Sequence, residues 1–386
     1  MKSVLLLGGG GSIGTQSIDV ISKNPAKLNL IGISFGDRVE TLPSLINNFP
    51  SLKYVCFKNE KDFLFFKTIY KDINFYHGNE GLINIISDSN ADYVLNALIG
   101  FVGFLPSIKT LELNKTLLLA NKESLIVGGT LINDLLSSGH GKLYPIDSEH
   151  VAIAKCLFNG KGKDIEKILI TASGGPFFDW KLENFKNISV KDALNHPTWS
   201  MGKKITIDSS TMMNKCFEII EAHHLFHVSS DMIEPIVDRK SYVHSMVKFK
   251  DGTTLLQVGP SDMRVPISYA LFEGIPENGK YFSDVEENTE SKYLFKNMDY
   301  EKFPLIRYAK YVLDKEGNSG AALNAVNEEC VYAFLDKKIN YIDIISIIDK
   351  IMKVYQFIDK PTLQDLLDTD SQVRELTRRI IKEYEN

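Results

Sequence analysis

A hydrophobic run that breaks into glycines and resumes as a helix, "SVLLLGGGGSIGTQSIDVI" at residues 3–21, constrains this chain more tightly than any other stretch. The apolar residues before Gly8 read as a short buried strand, and Ile13, Ile18 and Ile21 read as the apolar stripe of the helix that follows. Between them Gly8, Gly11 and Gly14 give GxxGxxG, and Gly9, Gly11 and Gly14 give the stricter GxGxxG. Glycines so placed let backbone amides and a helix N-terminus approach a pyrophosphate, which predicts a dinucleotide at the first turn of an α/β domain.

The chain continues in that rhythm. "LNLIGIS", "KYVCF", "YVLNALI" and "KTLLLA" are strand candidates, separated by helical patterns such as "VETLPSLINNF" and "SLIVGGTLINDLL". This alternation predicts βαβ units and a doubly wound (Rossmann-like) parallel sheet over residues 1–146. Over 147–272 the pattern becomes that of a catalytic α+β domain. A strand "EKILITAS", one helix over "STMMNKCFEIIEAHHLF", and a hairpin turning at Asp251-Gly252 are expected there. Residues 273–298 read as a polar connection, and the periodicity of 299–386 is purely helical, predicting a C-terminal bundle. A chain of 386 residues is too long for one small core, so several domains are expected.

Composition removes some functions. A formal charge of -5 argues against a dedicated nucleic-acid binder, which needs a basic surface. No apolar run reaches the length of a membrane span. The four cysteines, Cys56, Cys156, Cys216 and Cys330, form no CxxC or zinc-ribbon spacing and fit free thiols in a reducing compartment. With the first strand starting almost at Met1, a cytoplasmic protein is expected.

Five stretches carry chemistry. The glycine turn is the first. In "SFGDRVE", Asp37 suits a ribose 2′-hydroxyl and Arg38 a 2′-phosphate, so these residues alone leave NAD against NADP open. In "LLLANKESLI", Asn121, Lys122 and Glu123 fall at the end of a strand, where doubly wound sheets bind ligands. In "HPTWSMGKKITIDSSTMMNKCFEIIEAHHLF", residues 195–202 read as a flap carrying Trp199. Ser209, Ser210 and Thr211 are expected at a helix N-terminus favourable to an anion, with Asn214, Lys215 and Glu218 on one face of that helix. In "ITASGGPF", Ser173-Gly174-Gly175 after a strand can form an anion-binding turn.

"YPIDSEHVAIAK" adds a pair of acids. In an extended chain Asp147 and Glu149 point to one side, and their repulsion is relieved by protonation, by cations or by a shared divalent metal. The alternative is that they only cap a helix. Glu218 supplies a third acid, and the three make an all-oxygen set suited to Mg2+ or Mn2+. His223 and His227 lack the acid of a zinc motif and read as surface histidines.

Together these stretches closely resemble the 1-deoxy-D-xylulose 5-phosphate reductoisomerase family, nearly end to end. "GSIGTQSIDVI", "ANKESL", "PIDSEH", "ASGGPF", "HPTWSMGKKITIDSSTMMNK" with Glu218, "VHSMV" and "DMRVPISYA" all occur in the family's order. The resemblance implies an NADPH-dependent oxidoreductase and isomerase of isoprenoid biosynthesis, acting as a homodimer on a small phosphorylated sugar with one divalent cation, Mg2+ or Mn2+, with Co2+ a third choice.

It implies Asp147, Glu149 and Glu218 as metal ligands. Ser173, Ser209, Asn214 and Lys215 fall on the phosphate cradle, and Lys122, Ser148 and His196 on further substrate contacts. Lys122, Glu149 and His196 are the catalytic set. Trp199 and Met201 would cover substrate and nicotinamide. Gly202 would touch the cofactor, whose other contacts are Gly10, Gly11, Ser12, Ile13, Gly36, Asp37, Arg38, Asn121 and Glu123.

Three departures stand out. Gly9 and Gly10 replace two hydroxyl residues in the glycine turn. Gly36-Asp37-Arg38 replaces Gly-Lys/Arg-Asn, and Asp238-Arg239-Lys240-Ser241 stands where His-Pro-Gln-Ser is the pattern. The alternative function is a metal-independent NAD(P) dehydrogenase of another phosphorylated or polyol substrate, sharing the first domain without needing three acids.

Overall fold

The computed structural model of the chain describes residues 1–275 and 293–384. Its first part runs β1 (Lys2–Leu7), α1 (Ser12–Ser22), β2 (Leu28–Phe35), α2 (Leu42–Asn48), β3 (Tyr54–Phe57), α3 (Glu60–Ile69) and β4 (Asn74–His77). Next come α4 (Gly78–Asp88), β5 (Tyr93–Asn96), α5 (Phe104–Glu112), β6 (Thr116–Leu119), α6 (Glu123–Ser137), β7 (Lys142–Pro145) and α7 (Ser148–Asn159). The middle holds β8 (Ile165–Ala172), α8 (Val190–Ala193), α9 (Lys203–Thr211), α10 (Met213–Phe226), β9 (Ile233–Asp238), β10 (Val243–Phe249), β11 (Thr254–Val258) and α11 (Arg264–Leu271). A short β12 (Phe295–Asn297) precedes α12 (Tyr308–Lys315), α13 (Ser319–Leu335), α14 (Tyr341–Val354) and α15 (Leu363–Ile381).

The chain divides into two compact units. The first contains Met1–Ser124, Leu131–Val151 and the stretch from Asp262 that carries α11; the second contains Leu125–Thr130, Ala152–Ser261 and the described residues from 293.

The first unit is built on a seven-stranded sheet, parallel throughout, in the order β4-β3-β2-β1-β5-β6-β7. Alternate residues of β1 feed two cores. Val4 and Leu6 pack with Leu30, Ile33 and Leu95, while Leu5 and Leu7 pack with Ile85, Ile86 and Val94. A sheet covered on both faces needs such unbroken apolar runs, which is why they were legible as strands. Strand order reverses at β1, so the crevice of this fold opens beyond the ends of β1 and β5. There Gly8 (φ +93°) turns the chain, and a Cβ on it would lie 2.6 Å from the Ala97 carbonyl oxygen.

Helix α1 turns the face of its isoleucines to the core as expected, with small residues at the closest approach. Gly14, Ser17, Val20 and Ile21 are buried, whereas Ile13 and Ile18 are only partly so. The cause is close approach: a Cβ on Gly14 would sit 2.3 Å from the Gly8 carbonyl oxygen, so small residues form the seam.

The second unit has a mixed five-stranded sheet, β11-β10-β8-β9-β12, in which only β8 and β9 run parallel. The hairpin β10–β11 forms as expected, with Gly252 at φ +86°. The single helix expected over "STMMNKCFEIIEAHHLF" is two. Met212 adopts a left-handed conformation (φ 61°) between α9 and α10, so Ser209, Ser210 and Thr211 form the last turn of α9 rather than the first turn of a helix. The Thr211 hydroxyl accepts from the Met213 backbone N–H at 3.3 Å at this break.

The C-terminal helices group with the central segment rather than standing alone. α13 is largely enclosed, 14 of its 17 residues being buried, and it shares one apolar core with Ile168, Phe177, Phe217 and Ile348. Helix α11, expected with the central domain, packs against α1 and β7 in the first unit. The connection expected over 273–298 lies mostly outside the described residues, and its end forms β12. Among the described residues no helix is long and apolar enough to cross a membrane.

Candidate functional site

In the first unit the glycine turn and the end of β2 meet. The Gly9 N–H donates to the Ser34 carbonyl at 2.8 Å, and a Cβ on Gly10 would lie 3.0 Å from the Arg38 carbonyl oxygen. Gly11 is the N-cap of α1, with Ser12 and Ile13 in its first turn. This arrangement leaves the free N–H groups of a helix start beside the exposed Gly36, Asp37 and Arg38. Asp37 is paired with Lys58 at 3.1 Å, both side chains being exposed.

Asn121 acts within the fold. Its side-chain amide donates to the carbonyls of Leu98 and Gly100, both at 2.9 Å, and to Glu123 at 3.2 Å, while its carbonyl oxygen accepts from the Ser124 N–H at 3.1 Å. It thereby holds the loop after β5. Lys122 and Asp147, at the ends of β6 and β7, form an ion pair of 2.7 Å with both side chains 9% exposed. Burial pushes the Asp147 carboxyl up, but Lys122 and then His150, whose Nδ1 lies 3.5 Å from the second oxygen, prevail and hold it well below the usual carboxylate range.

The extended geometry expected for Asp147 and Glu149 does not occur. The chain enters α7 at Ser148, so Glu149 is helical, and its N–H donates to Asp147 Oδ1 at 3.3 Å in the manner of a cap. The Ser148 hydroxyl donates to Glu149 at 2.5 Å.

In the second unit His196 lies between two serines, its Nε2 being 3.0 Å from Ser173 Oγ and 3.1 Å from Ser209 Oγ. Its Nδ1 accepts from the backbone N–H groups of Thr198 (3.2 Å) and Trp199 (2.9 Å). A nitrogen that accepts carries no proton, so the proton resides on Nε2 and points at the serines. Burial and then the charge of Arg239 push His196 down to about 4, so it is neutral at pH 7.

On α10 the buried Glu218, 2% exposed, is bracketed by its own helix. Asn214 donates to one carboxylate oxygen and Lys215 to the other, and Lys215 also reaches the Thr171 carbonyl at the end of β8.

The flap residues are placed as follows. Gly202 is the N-cap of α9, Met201 precedes it half-buried, and the Trp199 ring lies 6.3 Å from that of His244. Thr198 and Ser241 are joined at 3.4 Å. Of the histidines near the end of α10, His227 is exposed as expected, His223 is half-buried with Nδ1 2.7 Å from the Val228 carbonyl, and burial pushes His224 down to about 3. Sequence reasoning missed Arg239, which donates to the carbonyls of Ser173 and Gly175; its only signal was the departure from His-Pro-Gln-Ser.

Comparison with known proteins agrees over nearly the whole length. Residues 4–129 match the model of 1-deoxy-D-xylulose 5-phosphate reductoisomerase, and residues 143–226 and 258–376 match two models of its C-terminal domains. A 1-deoxy-D-xylulose 5-phosphate reductoisomerase of Lachnospira eligens is 41% identical over 380 residues, covering 97% of this chain and 99% of the relative. One from Bacillus thuringiensis is 39% identical over 99% of this chain and all of its own. Among solved structures, DOX-P reductoisomerase in complex with NADPH, fosmidomycin and magnesium superposes with a TM-score of 0.91 at 33% identity, covering 99% of this chain and 98% of that one. The enzyme from Zymomonas mobilis in complex with NADPH gives 0.89 at 31%, covering 98% of each. The chain therefore belongs to the 1-deoxy-D-xylulose 5-phosphate reductoisomerase family.

Proposed function

We infer that this chain converts 1-deoxy-D-xylulose 5-phosphate to 2-C-methyl-D-erythritol 4-phosphate in the non-mevalonate isoprenoid pathway, by a retro-aldol/aldol rearrangement followed by reduction with NADPH. One observation carries the reading furthest. Glu218 is buried with Asn214 donating to one of its carboxylate oxygens and Lys215 to the other, a polar cluster costly to the fold unless a ligand uses it.

Asp147, Glu149 and Glu218 would hold the cation, as the family resemblance implies. Their donor set is oxygen only, which fits a hard ion, Mg2+ or Mn2+ with Co2+ as a third choice. Such an ion would supply positive charge to substrate oxygens, lowering the cost of alkoxide character there.

The other residues bind and orient. The His196 Nε2–H, the hydroxyls of Ser173 and Ser209, the Asn214 amide and the Lys215 ammonium receive the phosphate, binding energy gained away from the reacting carbons. Lys122, Ser148 and Glu149 meet the sugar oxygens, and Trp199 and Met201 cover them and exclude water. The amides from Gly10 to Ile13 receive the NADPH pyrophosphate, with Gly36, Asp37 and Arg38 at its ribose end and Asn121, Glu123 and Gly202 toward the nicotinamide. The protein works as a cytoplasmic homodimer. Its four cysteines are buried free thiols, which suits a reducing compartment, and sedimentation of the purified protein tests the dimer.

The deciding assay follows NADPH oxidation with 1-deoxy-D-xylulose 5-phosphate, with and without Mg2+. Oxidation must require both, and Asp147→Asn and Glu218→Gln must each lower turnover at least ~100-fold while NADPH binding persists. Undiminished oxidation after EDTA treatment would point instead to a metal-independent dehydrogenase.

A further inference from the structure

We propose that Arg239 is a positioning residue for phosphate recognition, its guanidinium clamping the Ser173–Gly175 turn so that the Ser173 hydroxyl stays aimed at His196 Nε2. The inference rests on the reading of Ser173, His196 and Ser209 as the phosphate cradle.

The turn needs a clamp. Gly174 (φ +82°) and Gly175 (φ +59°) are consecutive left-handed residues, so the chain leaves β8 at once and the carbonyls of this turn cannot join the sheet ladder. Arg239 Nη1 donates to the Ser173 carbonyl at 2.5 Å and to the Gly175 carbonyl at 2.9 Å. Its Nη2 meets Asp179 at 3.0 Å, and the guanidinium carbon lies 5.6 Å from the centre of the Phe178 ring. One planar group thus fixes both ends of the turn and the two residues beyond it. A Cβ on Gly174 would lie 3.0 Å from Nη1, so the turn and the arginine fit closely.

The arginine is itself held from behind. The Asp238 carboxylate accepts from the backbone N–H groups of Lys240 (3.0 Å), Tyr242 (3.0 Å) and Val243 (2.9 Å), closing the loop between β9 and β10 around Arg239. Inside the turn, the Gly175 N–H donates to Ser173 Oγ at 3.2 Å. That contact orients the hydroxyl which meets His196, and any rotation of the turn would move it. Both Nη1 hydrogens of Arg239 go to the Ser173 and Gly175 carbonyls and Nη2 meets Asp179, so its bearing on the cradle runs through Ser173. Its positive charge also helps keep His196 neutral.

The test uses the full chain with Mg2+ and NADPH, reading KM and kcat for 1-deoxy-D-xylulose 5-phosphate, inhibition by inorganic phosphate, and Tm. Arg239→Met keeps the apolar stem over Phe178; it is expected to raise KM and the inhibition constant of phosphate together by ~10-fold or more, with kcat within ~3-fold. Arg239→Lys should recover part of the loss, since one ammonium reaches the carbonyls but does not hold Asp179 as well. Asp179→Asn, at an exposed position that leaves folding intact, should give a smaller rise of ~2–3-fold in both constants. If Ser209→Ala raises KM while all three of these variants match wild type, the clamp assignment falls and the cradle stands. If Ser209→Ala also leaves KM and phosphate inhibition unchanged, the cradle reading falls and the clamp with it.

Discussion

Asp208 on α9 and Asn327 on α13 are joined by a hydrogen bond of 2.8 Å, the amide donating to the carboxylate. The other carboxylate oxygen pairs with Lys204 at 2.8 Å, and none of the three residues is more than 5% exposed. Close by, the Tyr341 hydroxyl donates to the Ser210 carbonyl at 2.7 Å. The last turn of α9, which carries Ser209, is therefore held from behind by the C-terminal helices, through polar contacts that fix register where apolar packing alone would allow sliding.

Removing that tie should be felt in stability first. Asn327→Ala leaves one Asp208 oxygen without its donor, for an expected loss of about 1–3 kcal/mol in urea unfolding. KM for the phosphorylated substrate should rise with it, because Ser209 is the next residue. Unchanged unfolding would show that Asp208 finds another donor.

Gly14→Ala tests the cofactor turn. The added methyl would sit 2.3 Å from the Gly8 carbonyl oxygen, so β1 and α1 must separate at a cost of about 1–3 kcal/mol. NADPH affinity, followed by the fluorescence of the bound nucleotide, should fall at least ~10-fold. Retained affinity would remove this turn from the binding site.

The depressed histidines give stability a pH dependence with a definite sign. Burial and then the neighbouring His223 and His227 hold His224 down to about 3 in the folded protein, against an ordinary 6.5. Between those values the unfolded chain binds the extra proton, so the contribution is complete above pH 6.5 and is lost as pH falls toward 3. Urea unfolding of wild type and His224→Asn at pH 7, 6 and 5 should show a shallower decline in the variant. The difference should approach, but not exceed, ~1.4 kcal/mol per pH unit. Parallel declines would exclude His224.

For the nucleotide, Arg38→Ala should weaken NADPH more than NADH. Asp37 is turned toward Lys58 at 3.1 Å, which leaves the guanidinium as the group suited to a 2′-phosphate. Equal losses for both nucleotides would show that Arg38 does not read that phosphate.

Much of this was legible because local signals agreed. The apolar strands, the glycine turn and the Asp251-Gly252 hairpin each carry their own pattern. β4 was not, since Asn74 and His77 frame a half-exposed edge strand. β9 was hidden by Pro235, which lies outside the three residues paired with β12 and so is tolerated within a strand. The break at Met212 gave no signal, because a non-glycine residue in a left-handed conformation is imposed by its surroundings. The candidate site residues stand out in the sequence as types and motifs. Their partners do not: nothing in sequence spacing links Lys204 and Asp208 to Asn327, or Arg239 to Ser173.

The enclosure of α13 bears on how this protein is made. Its residues complete the core on which α9 rests, and α11 must arrive before the opening strand and helix of the first unit are fully covered. A ribosome halfway through the message has therefore made the glycine turn, Asp147 and Glu149 without Glu218 or the later helices that seat their neighbours. Catalytic competence arrives late in synthesis, and until then the nascent chain exposes apolar surface for chaperones to shield.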